Sequence, residues 1–191
     1  MYFLCRDPAK LRLLVDEIRG THKTVEEMTL DSLMRLPYLN ACIKEGLRVY
    51  PPVPAGAPRV VGHGGLSVAG QWCPEGTRVT VCQYAAFHSK ANFADADAFA
   101  PERWLPAGHA ASDRSGRFER DQVEACQPFA MGARGCLGQN MALHESRLIL
   151  AALLLRFDFG MGEGSEGWVD QKAHALWVKK PLFCNVTVAG H

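Results

Sequence analysis

Apolar residues recur along this chain with two periods, and the change of period divides it into elements. Leu11, Leu14, Val15 and Ile18 follow the i, i+3, i+4, i+7 spacing of one helical face. Asp7 before Pro8 supplies a cap and a proline for the first helical position, and Gly20 is expected to close the helix. The apolar run ahead of it, Met1-Tyr2-Phe3-Leu4-Cys5, reads as the tail of a helix whose beginning is missing. A short helix is predicted after Thr29, stopping before Pro37. The next, from about Leu39 to Tyr50, sets Leu39, Cys42, Ile43, Gly46, Leu47 and Tyr50 on one stripe and ends at Pro51-Pro52. Between Arg59 and Cys82 the pattern shortens to β-type runs, Leu66 to Ala69 and Thr77 to Val81, separated by Gly and Pro turns. Residues 89–128 show no sustained period, and Ser112 to Arg120 is charged and loop-like. So long an irregular stretch argues for a functional or cofactor-covering segment. From Leu137 a strong helix is expected, with Leu137, Met141, His144, Leu148, Ala152 and Leu155 in register. Its second half is apolar on nearly all sides and should be buried. Alternating runs from Ala175 to Val188 suggest two final strands.

Composition adds bounds to this picture. The 191 residues suit one domain or a piece of a larger one, and 48% hydrophobic with 21% charged residues suffices for a real core. A formal net charge of +1 gives no global attraction to nucleic acid. The seven cysteines are odd in number and form no CxxC pair, which favours reduced thiols in a cytosol-facing compartment. The longest apolar stretch, Leu148 to Leu155, falls far short of the roughly 20 residues of a membrane crossing. No signal peptide is legible.

The segment carrying chemistry is Pro128-Phe129-Ala130-Met131-Gly132-Ala133-Arg134-Gly135-Cys136-Leu137-Gly138. It sets a cysteine at the mouth of a helix, where unpaired N–H groups and the positive dipole end stabilise a thiolate. The glycines permit positive φ and let a flat ligand approach the backbone. Arg134 can add to the positive field or reach an anionic group on the ligand, and Phe129 can shield the sulfur from water. A buried structural cysteine beside a glycine turn is the plainer reading of a lone Cys-x-Gly. Glu45 and Arg48, three apart on the Leu39 to Tyr50 helix, are likewise either an ion pair with a task or a solvated pair of little value.

Taken together, Phe-x-x-Gly-x-Arg-x-Cys-x-Gly over positions 129–138 resembles the haem-binding signature of the cytochrome P450 family. Glu45-x-x-Arg48 and Pro101-Glu102-Arg103-Trp104 resemble two further elements of that family, as do His88 and Ala91 to Asp95, most like its fungal members. The resemblance implies a mainly α fold with small β-sheets: helices, small sheets, a meander, the cysteine loop, a buried helix and a terminal hairpin. It implies haem as cofactor, with Cys136 as axial thiolate ligand of the iron, Phe129 packed on the proximal side and Gly132 within the loop. Arg134 would pair with a haem propionate, Arg59 with a second one, and Gly138 would let the following helix lie close under the porphyrin. Glu45, Arg48 and Arg103 would form a buried trio that supports the site. His88 reads as a structural hydrogen-bonding residue and Cys126 as a packing residue. Asn185-Val186-Thr187 meets the glycosylation pattern but, without a secretion signal, carries no weight.

The same resemblance implies a monooxygenase that inserts one oxygen atom from O2 into an organic substrate, with electrons from NADPH through a cytochrome P450 reductase. Residues 1–191 would be a single partial domain, the C-terminal haem-binding part, with the N-terminal half of the fold absent. The apolar positions of residues 11 to 18 and of the final helix are then expected to lie exposed. Two alternatives stay open: a truncated, inactive haem-binding or structural remnant, and a haem-thiolate protein that uses peroxide. Of the substrate-contacting regions, the resemblance leaves only Pro52 to Pro58 and the turn near Lys180 to Phe183. Relatives of this kind are held at the endoplasmic reticulum by an N-terminal anchor, which is not part of this sequence.

Overall fold

In the computed structural model, which describes residues 1–190, Asp7 breaks the first helical stretch in two. Helix α1 (Tyr2–Arg6) ends where Asp7 takes φ −127° and ψ 86°, and α2 (Pro8–Thr21) begins at once. The Asp7 carboxylate accepts the Lys10 N–H at 3.1 Å, the cap expected from its place before Pro8. Gly20 does not close α2, which runs one residue further to Thr21. Helix α3 (Leu30–Met34) starts at a reciprocal capping box between Thr29 and Ser32. Helix α4 (Pro37–Val49) begins two residues ahead of the expected Leu39, with proline in its first turn.

No side chain of α4's own first turn caps it. The Glu17 carboxylate of α2 does so instead, accepting the N–H groups of Tyr38 and Leu39 at 2.8 Å each. A helix start is thus satisfied from a neighbouring helix, which fixes the angle between α2 and α4. Glu17→Ala is expected to cost about 1–2 kcal/mol, the range for a lost cap. Urea unfolding would show it as a lower midpoint with an unchanged slope.

Two nested antiparallel pairs follow. The outer pairs β1 (Arg59–Val60) with β4 (Arg78–Val79), and the inner pairs β2 (Leu66–Val68) with β3 (Gln71–Cys73). Ala69 (φ 49°) and Gly70 (φ 80°) form the two-residue link, both in the left-handed region that a tight hairpin twist requires. Helix α5 (Gln83–Phe87) precedes a long irregular run that includes short 3-10 turns at Pro101–Trp104, Val123–Ala125 and Gly132–Arg134.

The core lies where α2, α3 and α4 pack against α6 (Gln139–Arg156). Leu14, Ile18, Leu39 and Leu154 have no exposure there, and Leu33 almost none. The expectation that residues 11 to 18 lack partners is therefore corrected: α4 and α6 cover Leu14 and Ile18, and Leu11 and Val15 are half-buried. The expected all-round burial of α6 is also corrected. Of its residues only Ala151, Leu154 and Leu155 are buried, because α2, α3 and α4 all meet one side of it. Ile149 stays 59% exposed, at a groove of about 500 Å³ shared with Met1, Phe3 and Leu47. Leu137 lies outside the helix, which Gly138 caps, and is fully exposed.

The chain end differs from the expected terminal hairpin. Only Cys184–Val188 is a strand (β6), and it pairs antiparallel with β5 (Phe157–Met161), the strand that leaves α6 directly. Residues 162–183 between them form turns, with one isolated bridge from Ala173 to Trp177. An alternating pattern marks a strand but not its partner. Arg19 of α2 secures this corner by donating to the carbonyls of Leu154 and Phe157 at the C-terminal end of α6.

Candidate functional site

Helix α4 carries Glu45 and Arg48 on the side turned to the irregular run, and neither side chain has any exposed surface. That burial excludes the solvated-pair reading. The Glu45 carboxylate accepts five hydrogen bonds. Oε1 receives Arg48 Nη2 at 2.8 Å, the Ala100 N–H at 2.8 Å and Arg103 Nε at 3.2 Å. Oε2 receives Arg48 Nε at 2.9 Å and the Trp104 indole N–H at 2.8 Å.

Arg48 is satisfied just as completely. Beyond Glu45, it donates to the carbonyls of Phe87 (2.7 Å), Ala96 (2.6 Å) and Ala98 (2.8 Å), which uses all five of its N–H groups. One side chain thus supplies the partners that buried loop carbonyls need. Arg103 donates to Glu45, to the Ala94 carbonyl at 3.0 Å and to Asp121 Oδ2. Asp121 Oδ1 accepts the Ala94 N–H at 2.7 Å. Two arginines and two carboxylates therefore form a buried cluster of zero net charge. The Phe93 ring lies 5.2 Å from the Arg48 guanidinium carbon and 5.7 Å from that of Arg103, and Phe118 lies 4.3 Å from the latter.

The trio named from the sequence is thus assembled, with two members that reasoning from sequence missed. Trp104 had a signal, since a buried indole N–H needs an acceptor and this one directly follows Arg103. Asp121 had only the requirement that two buried arginines need two carboxylates, which does not choose among the acidic residues of the loop.

The cysteine loop, exposed from Met131 onward, joins the irregular run to α6. The Cys136 N–H donates to the Phe129 carbonyl at 2.8 Å, closing the loop on itself, and the Gly135 N–H donates to the Gly132 carbonyl at 2.9 Å. Gly132 sits at φ +69°, where a side chain would be strained. A Cβ at Gly138 would stand 3.9 Å from the Cys136 sulfur. Cys136 and Arg134 are exposed, Phe129 is half-buried, and Met131, Leu137 and Met141 expose apolar surface around them. Gln83 of α5 ties down the start of the loop by donating to the Gln127 carbonyl at 3.1 Å.

Arg59 is exposed on β1, and its side chain donates to the nearby carbonyls of Ala57 and Pro58. No bond links it to the cysteine loop among the described residues. His88 stacks on Tyr84 and its Nδ1 pairs with the Tyr84 carbonyl, while burial lowers its pKa. Burial pushes the Cys126 thiol up to about 12, which keeps it protonated and unreactive.

The sequence profile of the family described as Cytochrome P450 matches residues 1–186. The chain belongs to the cytochrome P450 family. It is similar to a cytochrome P450 monooxygenase of Gibberella moniliformis, 46% identical over 189 residues, which are 98% of this chain and 38% of that protein. A cytochrome P450 monooxygenase of Hormonema carpetanum is 41% identical over 188 residues, 98% of this chain and 36% of its own length. One of Alternaria alternata is 43% identical over 186 residues, 97% of this chain and 36% of its own. The chain thus spans little more than a third of the P450 relatives it matches. Its mainly helical architecture with small antiparallel sheets is that of a P450 portion. Among the described residues no helix is long and apolar enough to cross a membrane.

Proposed function

We propose that residues 1–191 form the haem-binding part of a haem-thiolate monooxygenase, with Cys136 as the axial ligand of the iron. The observation that carries this reading is an exposed thiol on a self-bonded glycine loop, three residues ahead of a long helix. The donor set suits a haem. No competing cluster of metal-ligating side chains occurs among the described residues. Arg134 and Arg59 have no carboxylate partner among them and are available to propionates. Met131, Leu137 and Met141 offer the apolar surface that a flat macrocycle would cover. When bound, a thiolate-ligated haem activates O2 for transfer of one oxygen atom to an organic substrate.

The chain's own residues have distinct tasks in this reading. Gly132 takes the positive φ that shapes the loop, and Gly138 keeps a side chain away from the sulfur. Glu45, Arg48, Arg103, Trp104 and Asp121 hold the meander rigid, and Gln83 passes that rigidity to Gln127 at the start of the loop. Cys126 only packs, while Phe93 and Phe118 face the guanidinium groups of Arg48 and Arg103. Electrons would come from an NADPH-dependent reductase, and the endoplasmic reticulum is the corresponding location.

The haem-loaded protein, reduced and exposed to carbon monoxide, is expected to show the red-shifted band of a thiolate ligand. Cys136→Ser should abolish that band while Cys126→Ser keeps it. A band that survives Cys136→Ser would end the assignment. Substrate oxidation that needs NADPH and reductase separates a working monooxygenase from an inactive haem-binding remnant, and oxidation supported by peroxide alone would mark the peroxide-using alternative.

A further inference from the structure

Three of the four tyrosines and two of the four tryptophans stand in a single file. It starts at Tyr84 on α5, whose ring centroid is 5.8 Å from that of Trp177. Trp177 stacks on Tyr50 at 4.5 Å with planes 14° apart, and Tyr50 lies 5.3 Å from Trp168. Trp168 lies 5.5 Å from Tyr2 on α1. Every step brings ring edges into contact, so the file runs unbroken from the 42%-exposed Tyr84 to the 3%-exposed Tyr2. The residues come from α1, the end of α4, α5 and the turns of 162–183. Ring stacking alone would be served by Phe at each place. Yet all five rings are of the two types that give up an electron most readily.

The partners of their polar hydrogens sort the rings. The Trp177 N–H donates to the Pro51 carbonyl at 2.7 Å and the Trp168 N–H to the Lys180 carbonyl at 2.8 Å. The Tyr50 hydroxyl donates to the Gln171 amide oxygen at 3.1 Å, and the Tyr2 hydroxyl to the Glu166 carbonyl at 2.6 Å. None of these acceptors is a base, so proton loss from these four rings is disfavoured relative to passing the hole on. Tyr84 differs: its hydroxyl has no protein acceptor among the described residues, and its ring reaches water.

We propose that Trp168, Tyr50, Trp177 and Tyr84 form a conduit for one-electron oxidising equivalents that ends on Tyr84, with Tyr2 closing the buried end of the file. A one-electron oxidant removes an electron from Trp168 or Trp177. Electrons then move stepwise along the file toward the vacancy, and Tyr84 supplies the last one while releasing its phenolic proton to water. What remains is a neutral Tyr84 phenoxyl radical with every other ring restored, and a small reductant can quench it by returning a hydrogen atom. The Gln83 tie to Gln127 sets this outlet beside the cysteine loop. The conduit itself does not depend on what that loop binds.

The azide radical, a one-electron oxidant that favours tryptophan, provides the test. After brief exposure of the intact chain, absorption reports decay of the tryptophan radical and growth of the tyrosyl radical, and a nitroso spin trap with peptide mapping locates the product. The trapped radical is expected on Tyr84. Trp177→Phe keeps a ring in the stack but removes the easily oxidised step, so trapping at Tyr84 should fall to the background of Tyr84→Phe and product should build up on Trp168. Tyr38→Phe, a buried ring outside the file, should change nothing. Unaltered Tyr84 trapping in Trp177→Phe would overturn the conduit, as would tyrosyl growth unaffected by both Tyr50→Phe and Tyr84→Phe. Matching circular dichroism spectra of the variants would assign any change to electron transfer rather than to lost fold.

Discussion

Glu45→Gln is expected to lower the unfolding free energy by about 3–5 kcal/mol, the cost of stranding the partners of a buried ion cluster. The carboxylate accepts five donors and has no exposed surface, and an amide would turn its own NH2 group toward at least one of them. Two buried guanidinium groups would then face the single remaining charge of Asp121. A domain of this kind holds about 5–15 kcal/mol in total, so the variant should lie near the edge of folding. Asp158→Asn is the contrast. It removes the exposed partner of Arg19, at 2.7 Å with about half of the carboxylate side chain in water, and should cost about 0–1 kcal/mol. Denaturant titration of the two variants side by side measures the difference. A Glu45→Gln loss below about 1 kcal/mol would mean that the cluster is not a closed buried network.

Leu154→Ala should cost about 2–5 kcal/mol, since Leu154 has no exposed surface and sits among α2, α3 and α4. Ile149→Ala, on the same helix, should cost less because 59% of that residue already meets solvent. Thermal or chemical unfolding of the pair measures how one-sided the burial of α6 is. Equal losses would mean that α6 is enclosed on both sides and that the groove shared by Met1, Phe3 and Leu47 is filled in solution.

The two variants probe connected parts of the molecule. Helix α4 packs on α6 through Leu39 and its neighbours and, on the side facing the meander, grips it through Glu45 and Arg48. A polar link adds to the apolar contact: Asn40 of α4 donates to the carbonyls of Leu33, Met34 and Leu36 and accepts Arg147 Nε of α6 at 2.6 Å. The cysteine loop lies between the meander and α6, so its shape depends on both attachments. That is the structural reason the buried charge cluster bears on the shape of the loop.

The starts of α2 and α3 were legible in the sequence because their capping is a local affair, whereas α5, which has no side-chain cap, was not predicted. Asp7-Pro8 and Thr29 with Ser32 act within one turn, and the expected boundaries hold to within two residues. The ten-residue spacing around Cys136 was legible for the same reason, as was the candidate trio of Glu45, Arg48 and Arg103 once the resemblance was stated. Tertiary structure alone decided the rest. Which side of α6 is buried depended on where three other helices lie, and an apolar sequence on every side does not say. The partner of β6 was β5, more than twenty residues away, because alternation specifies a face and never a neighbour. Asp121 and Trp104 joined the cluster because burial makes every charge and N–H require a partner, a demand that arises only once water has been removed.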